Sequence, residues 1–270
     1  MQAREFQAET YGYDKYLGGC HMIPNHAIII LSLLFGDDDL QKTLMIVNTA
    51  GHDTDCNSGN VGCIMGIKNG LEGLRNGPDY LTPIQDRMYC PTANGGETQT
   101  DALTEAYKVI NTAKKMNKEE TVEPKNGSRF HFEMPGSVQG WRSSFKNNKN
   151  ISTIVQNTEY ESSIGKRALE IKFDRVAPGV CSEAVVDTFF PQELYELTGS
   201  ARERFFQSYN FISCPLLYSG QNIESEIIFK SNSQKPITVT CFINVFGEED
   251  NYERINSESV VLFPDKSQKL

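Results

Sequence analysis

From about residue 21 to residue 115 the apolar residues return every three or four positions, the period of amphipathic helices, in segments cut by glycine, proline and aspartate. The first helix is expected over residues 25–35, with Gly36 as its stop. Asp37-Asp38-Asp39 then suits the N-terminal turn of a second helix running through Val47, because carboxylates accept from free amides and favour the positive end of the helix dipole. A third helix is expected to begin near Asp55 and run through Cys63 to Leu74. Its Gly59, Gly62, Gly66 and Gly70 share one face, and each costs about 0.5–1 kcal/mol relative to alanine in a helix, so the run predicts very close packing against neighbouring helices or a ligand. A last helix, residues 100–116, starts on Thr-Asp and gathers Ala102, Leu103, Ala106, Val109, Ile110 and Ala113 on one side.

Residues 117–128 are polar, contain Pro124 and Gly127, and read as a linker between a helical part, residues 1–116, and a second part, residues 129–270. Beyond the linker the period shortens to alternation, and strands are expected at 129–133, 168–173, 184–189, 223–229 and 237–246. Turns at Pro135-Gly136, Pro178-Gly179, Ser219-Gly220 and Gly247 separate them. The expected architecture is therefore multidomain α plus β: an all-α part followed by an antiparallel β-sandwich or jelly roll. Residues 191–206 read as a short helix or loop over one end of it.

Composition narrows the function classes. Hydrophobic residues make up 39% and charged residues 23% of the 270, which is globular rather than disordered. A net charge of −9 without a basic stripe argues against a nucleic-acid partner, whose affinity comes from lysines and arginines that release counterions. The longest apolar run, residues 27–35, is too short to span a bilayer, so no membrane partner is expected. Seven cysteines, at 20, 56, 63, 90, 181, 214 and 241, form no C-x-x-C pair. Free thiols and the lack of an export signal point to a reducing, cytoplasmic setting.

The segment Asn48-Thr-Ala-Gly-His-Asp-Thr-Asp-Cys-Asn-Ser-Gly-Asn-Val-Gly62 concentrates the chemistry. Asp53 and Asp55, two apart at the start of a glycine-rich helix, offer hard oxygens to Mg²⁺ beside a helix N-terminus that favours anions. On spacing alone the pair fits equally an N-cap aspartate followed by a first-turn aspartate.

The longer run from Gly51 to Gly66 resembles the C-terminal motif of ADP-ribosylglycohydrolases, with His21-Met-Ile-Pro-Asn25 upstream and Ile67-Lys-Asn-Gly70 downstream continuing the resemblance over roughly residues 15 to 115. It implies a compact helical domain that holds two Mg²⁺ ions and hydrolyses the bond between C1 of ADP-ribose and an acceptor, in a modified small molecule or protein. Asp53 and Asp55 match the metal-ligating aspartates and carry the catalytic role. Cys56 stands as the third metal residue, where Thr or Ser is usual, and a thiol is a soft group for a hard ion. His52 would flank the substrate, Asn57 is assigned beside it, and His21 and Asn25 would line the cleft or else serve a core or capping role. Nothing before His21 resembles the family's first acidic motif, so the chain is expected to begin partway through the domain and to be inactive alone.

Two rival readings remain. His21, His26 and His52-Asp53, with Asp86 or Asp101, have the composition of an HD-type metal phosphohydrolase site. Phe130-His-Phe-Glu-Met-Pro-Gly-Ser-Val-Gln-Gly-Trp141 is similar to the entry strand of a galactose-binding-like jelly roll. There Trp141 would stack on carbohydrate or fill the core, and the chain would be a noncatalytic carbohydrate- or protein-binding protein. The Gly-Gly run between Thr92 and Asp101 lacks phosphate-loop spacing and reads as a connection capped by Thr100 or Asp101.

Overall fold

Helices α1 (Gln2–Thr10), α2 (Met22–Phe35), α3 (Leu40–Thr49) and α4 (Thr54–Arg75) begin a chain of mixed helix and strand. The computed structural model describes residues 2–80, 84, 86–89, 97–144, 152–174, 177, 179–189, 197–208, 215–247 and 251–269. Helix α2 starts three residues before the expected position because Pro24 sits in its first turn, where a missing N–H leaves no helical bond unmade. His26, on this helix, is exposed. Gly36 closes α2 against α3, and a Cβ there would lie 1.9 Å from Thr43 Oγ1, so only glycine admits the close turn.

Of the aspartate triplet, Asp39 alone caps α3, accepting from the Lys42 amide at 2.6 Å. Asp37 and Asp38 take left-handed backbone angles outside the helix and pair with Lys42 and Lys68. Helix α4 packs on α3, and α2 packs on both. Their apolar faces close over Leu40, Val47, Val61 and Met65, with Ile28, Ile29, Leu33 and Leu44 around them.

The glycine face of α4 corrects an expectation. A Cβ at Gly59, Gly62 or Gly66 would meet nothing within 4 Å, so the face is open rather than tightly packed. Gly70, at φ 62° and ψ −164°, breaks the helix before its last turn.

After strands β1 (Met88–Tyr89) and β2 (Gln99–Thr100), which pair with each other, Asp101 caps helix α5 (Ala102–Met116) through the Thr104 amide at 2.8 Å. The polar stretch 117–128 is tied back to α5, where the Asn111 side chain both donates to Val122 O and accepts from its N–H. A short 3-10 turn, Pro124–Gly127, follows.

The expected strand at 129–133 is not formed. Phe132 adopts φ 57°, and its amide turns to Gln139 Oε1 at 2.8 Å, which takes the segment out of extended geometry. Strands β3 (Arg142–Ser143), β4 (Thr153–Glu159), β5 (Arg167–Phe173) and β6 (Ala184–Val185) give the antiparallel pairs β3–β6 and β4–β5. Helix α6 (Gly199–Ser208) follows, and residues 191–196 of the predicted cover lie outside the described residues, as do Cys90, Pro178 and Cys214.

The chain divides into two compact units, Met1–Ser213 and Cys214–Leu270. In the second, β7 (Glu226–Ile228), β8 (Ile237–Val239), β9 (Phe242–Phe246), β10 (Tyr252–Asn256), β11 (Val260–Leu262) and β12 (Ser267–Lys269) pair as nested antiparallel arms, β9 with β10, β8 with β11 and β7 with β12. The predicted strand at 237–246 is thus two strands, interrupted at Thr240-Cys241.

Buried polar groups hold the middle of the first unit. Asp86 accepts from Ser137, Gln139 Nε2 bonds Arg129 O at 3.1 Å, and Arg87 and Arg142 both pair with Asp187. His131, 5% exposed, lies edge-on to Tyr107, and its Nδ1 accepts the Glu133 amide at 3.2 Å. That bond requires a lone pair on Nδ1, so the folded state holds the neutral ring, and burial pushes its pKa down against the pull of the Asp101 and Glu133 carboxylates. Below about pH 6.5 the unfolded chain therefore takes up a proton that the folded chain refuses, and stability present above that pH is lost on acidification. In thermal melts between about pH 7 and about pH 5, His131→Asn is expected to show a shallower acid decline than the wild type. An identical decline would mean that this imidazole titrates as freely folded as unfolded.

Candidate metal centre

Among the described residues three helices start at an aspartate, and one of the three differs from the others. Asp39 and Asp101 spend their carboxylates on the capping bond. Asp53, at the N-cap position of α4, does not: its backbone lies at φ −23°, ψ 74°, and its side chain makes no cap bond, although its carbonyl accepts the Asn57 amide at 3.1 Å in the ordinary way. The carboxylate is left for other partners. Asn25, buried in the first turn of α2, aims its amide at it, and Nδ2 donates to Asp53 Oδ2 at 3.3 Å.

Asp55 and Cys56 follow in the first turn of α4, both exposed, and one ligand atom from each of Asp53, Asp55 and Cys56 lies within 4.8 Å of the others. Cys20, in the loop ahead of α2, stands outside that group of three and is exposed. The Asp53 carboxylate pushes the thiols of Cys20 and Cys56 above their ordinary range, and the thiols in turn hold the Asp53 carboxyl below its own. No motif marked Cys20 in advance, since it stands in a Gly-Gly-Cys loop with no periodicity.

The other predicted residues are placed as follows. His21 occupies the N-cap position of α2 without capping it, edge-on to Tyr13 at 4.7 Å, and its Nε2 is buried without a hydrogen-bond partner. His52 is half-buried in the turn before α4. Asn57 is 2% exposed on the face of α4 that also buries Val61 and Met65, and its Nδ2 has no partner. Asn25 Oδ1 is likewise buried and unpartnered. Such atoms are uncommon in folded proteins, where buried polar groups are nearly always satisfied, and two of them flank the Asp53 carboxylate in sequence or by contact.

Asp53, Asp55 and Cys56 lie close enough together to share one metal ion. Asp53 and Asp55 supply hard oxygens at the N-terminal end of a helix, with the softer Cys56 sulfur beside them.

The two rival constellations lie elsewhere. Asp86 is bonded to Ser137 and Asp101 caps α5, so both carboxylates proposed to complete an HD set are engaged away from Asp53. Trp141, half-buried, packs edge-on against Phe130 with ring centroids 5.7 Å apart. No protein-family model, no curated protein and no solved structure matches the chain.

Proposed function

We propose that the helical part of this chain belongs to a Mg²⁺-dependent hydrolase of the ADP-ribosylglycohydrolase type, cleaving the glycosidic bond at C1 of ADP-ribose in a modified small molecule or protein. What supports this reading above all is the Asp53 carboxylate, withheld from the capping bond that Asp39 and Asp101 make and grouped instead with Asp55, Cys56 and Asn25. Asp53 and Asp55 are the metal-holding and catalytic carboxylates, and Asn25 fixes the rotamer of Asp53 from a buried position. Bound there, Mg²⁺ supplies Lewis acidity for attack by water and neutralises charge on the substrate. His21, His52 and Asn57 flank the substrate side, and the intact domain holds two ions with further acidic ligands.

We read the paired strands from residue 142 onward as the arms of a galactose-binding-like antiparallel sandwich, and the free, exposed thiols of Cys20, Cys56, Cys63, Cys181 and Cys241 as those of a protein kept in a reducing compartment. Among the described residues no helix is long and apolar enough to cross a membrane.

Titration calorimetry with ADP-ribose, with and without Mg²⁺, tests the proposal. Binding that needs Mg²⁺ and is lost in Asp55→Ala is expected. No binding, or binding indifferent to both the ion and the substitution, counts against the hydrolase.

A further inference from the structure

Helix α2 is apolar on more than the face it buries. Between Met22 and Phe35 it carries no charged residue, although one face suffices for its packing on α3 and α4. That inner face holds Pro24, Asn25 and Ser32, with Ile28, Ile29 and Leu33 beside them. The remaining apolar residues form a second stripe. Ile23, Ala27, Ile30 and Leu34 recur at steps of four, three and four, the spacing of a coiled-coil seam, with Met22, Leu31 and Phe35 along its flanks.

The stripe is large enough to need a partner. Met22, Ile30, Leu31, Leu34 and Phe35 are exposed by between 44% and 77%. At roughly 200 Å² for a whole large side chain they present about 600 Å² of apolar surface, the top of the range for a monomer. Ile64 and Ile67 follow Asp53 by about three and four helical turns, so they line the side of α4 that Asn25 of α2 touches, and both are exposed. They add about 200 Å², which brings the patch to the share of about 800 Å² that each partner contributes to a standard interface.

The order of residues along the stripe fits a second copy of itself. Laid antiparallel about a two-fold axis between residues 28 and 29, Ile23 faces Leu34 of the second copy, Ala27 faces Ile30, His26 faces Leu31 and Met22 faces Phe35, each pair made twice. The small Ala27 lets the two backbones approach, and a Met sulfur against a Phe ring is a favourable contact. Two copies of a chain with a net charge of −9 repel each other over most of their surface, and an uncharged stripe is where they can meet.

We propose that this stripe is the interface of a homodimer in which α2 pairs antiparallel with α2 of a second copy. The pairing stands apart from the hydrolase reading, since Asn25, which reaches Asp53, lies on the other face of α2.

Light scattering behind a sizing column, on the full chain at about 50 µM, is expected to give twice the 30.3 kDa of one chain, because interfaces of this size bind at micromolar concentration or more tightly. Leu34→Glu falls on an exposed position and should not disturb the fold. It is expected to weaken dimerisation by at least about 100-fold, since each copy would bury an unpaired carboxylate. Val109→Glu, at an exposed position on α5, is the control and should leave the dimer intact. A rescue tests the register. Leu31→Lys should dissociate the dimer, and His26→Glu added to the same chain should recover about ten-fold in affinity through two opposite-charge pairs across the axis. Far-ultraviolet dichroism verifies the fold of each variant. A chain that stays at 30.3 kDa leaves the stripe to a different protein and overturns the proposal, as does a dimer that survives Leu34→Glu. Loss in Leu31→Lys without rescue overturns the antiparallel register.

Discussion

Asp53→Ala is expected to weaken divalent-cation binding at the start of α4 by about a hundred-fold or more, since loss of even an outer partner of a metal site costs about 10–100-fold and Asp53 is proposed as a direct ligand. Helix α4 should survive the change. Its N-terminus takes no side-chain cap from Asp53, so the helical dichroism of the variant should match the wild type, unlike the result expected for removing a capping aspartate such as Asp39 or Asp101. Asp53→Asn separates charge from position: it retains an oxygen for the Asn25 amide while removing the negative charge, and should lose cation affinity to the same extent with a smaller loss of thermal stability. Calorimetric titration of Mg²⁺ and Mn²⁺ reads both. Unchanged affinity in Asp53→Ala would remove Asp53 from the ligand set and with it the basis of the proposed function.

Met65→Ala is expected to destabilise the helical part by about 3 kcal/mol, the middle of the range for truncating a buried Met or Leu. Met65 is 2% exposed and shares its cluster with Val61, Val47 and Leu40, so the cavity has little flexible surface into which to collapse. Against a typical domain stability of about 5–15 kcal/mol the loss is large, and the urea midpoint of the helical signal should fall visibly. Cation binding by the folded fraction should not change, because Met65 lies ten residues and about 15 Å along α4 from Asp55. A loss below about 1 kcal/mol would mean that α2, α3 and α4 do not close over this side chain.

The helices were legible where apolar spacing and punctuation agreed, as at Gly36 behind α2 and Asp101 before α5. Helix α1 was not, because Gln2–Thr10 is mostly polar and buries only Gln7. The α4 glycines misled for a physical reason: a missing side chain is compatible both with tight contact and with no contact at all, and here nothing approaches Gly59, Gly62 or Gly66. At 129–133 a plausible alternation lost to a single left-handed residue, Phe132, whose turn is dictated by Gln139 seven positions on. The motif brought Asp53, Asp55 and Cys56 into view, but whether Asp53 caps its helix depends on backbone angles that no spacing reveals, and Asn25 reaches Asp53 only through the packing of α2 on α4.

Every group of the centre, from Asn25 to Asn57, lies within one stretch of chain spanning α2, α3 and the first turn of α4. Its hydrogen bond between helices, Asn25 to Asp53, closes a loop of 28 residues, and because loop entropy grows only slowly with length this closure costs little more than a short one. During synthesis, which proceeds from the N-terminus, these helices emerge well before any strand of the second unit exists. A cation captured at that moment would act as an early clamp on the nascent helical hairpins, making metal supply a determinant of how much protein matures as well as of what the mature protein does.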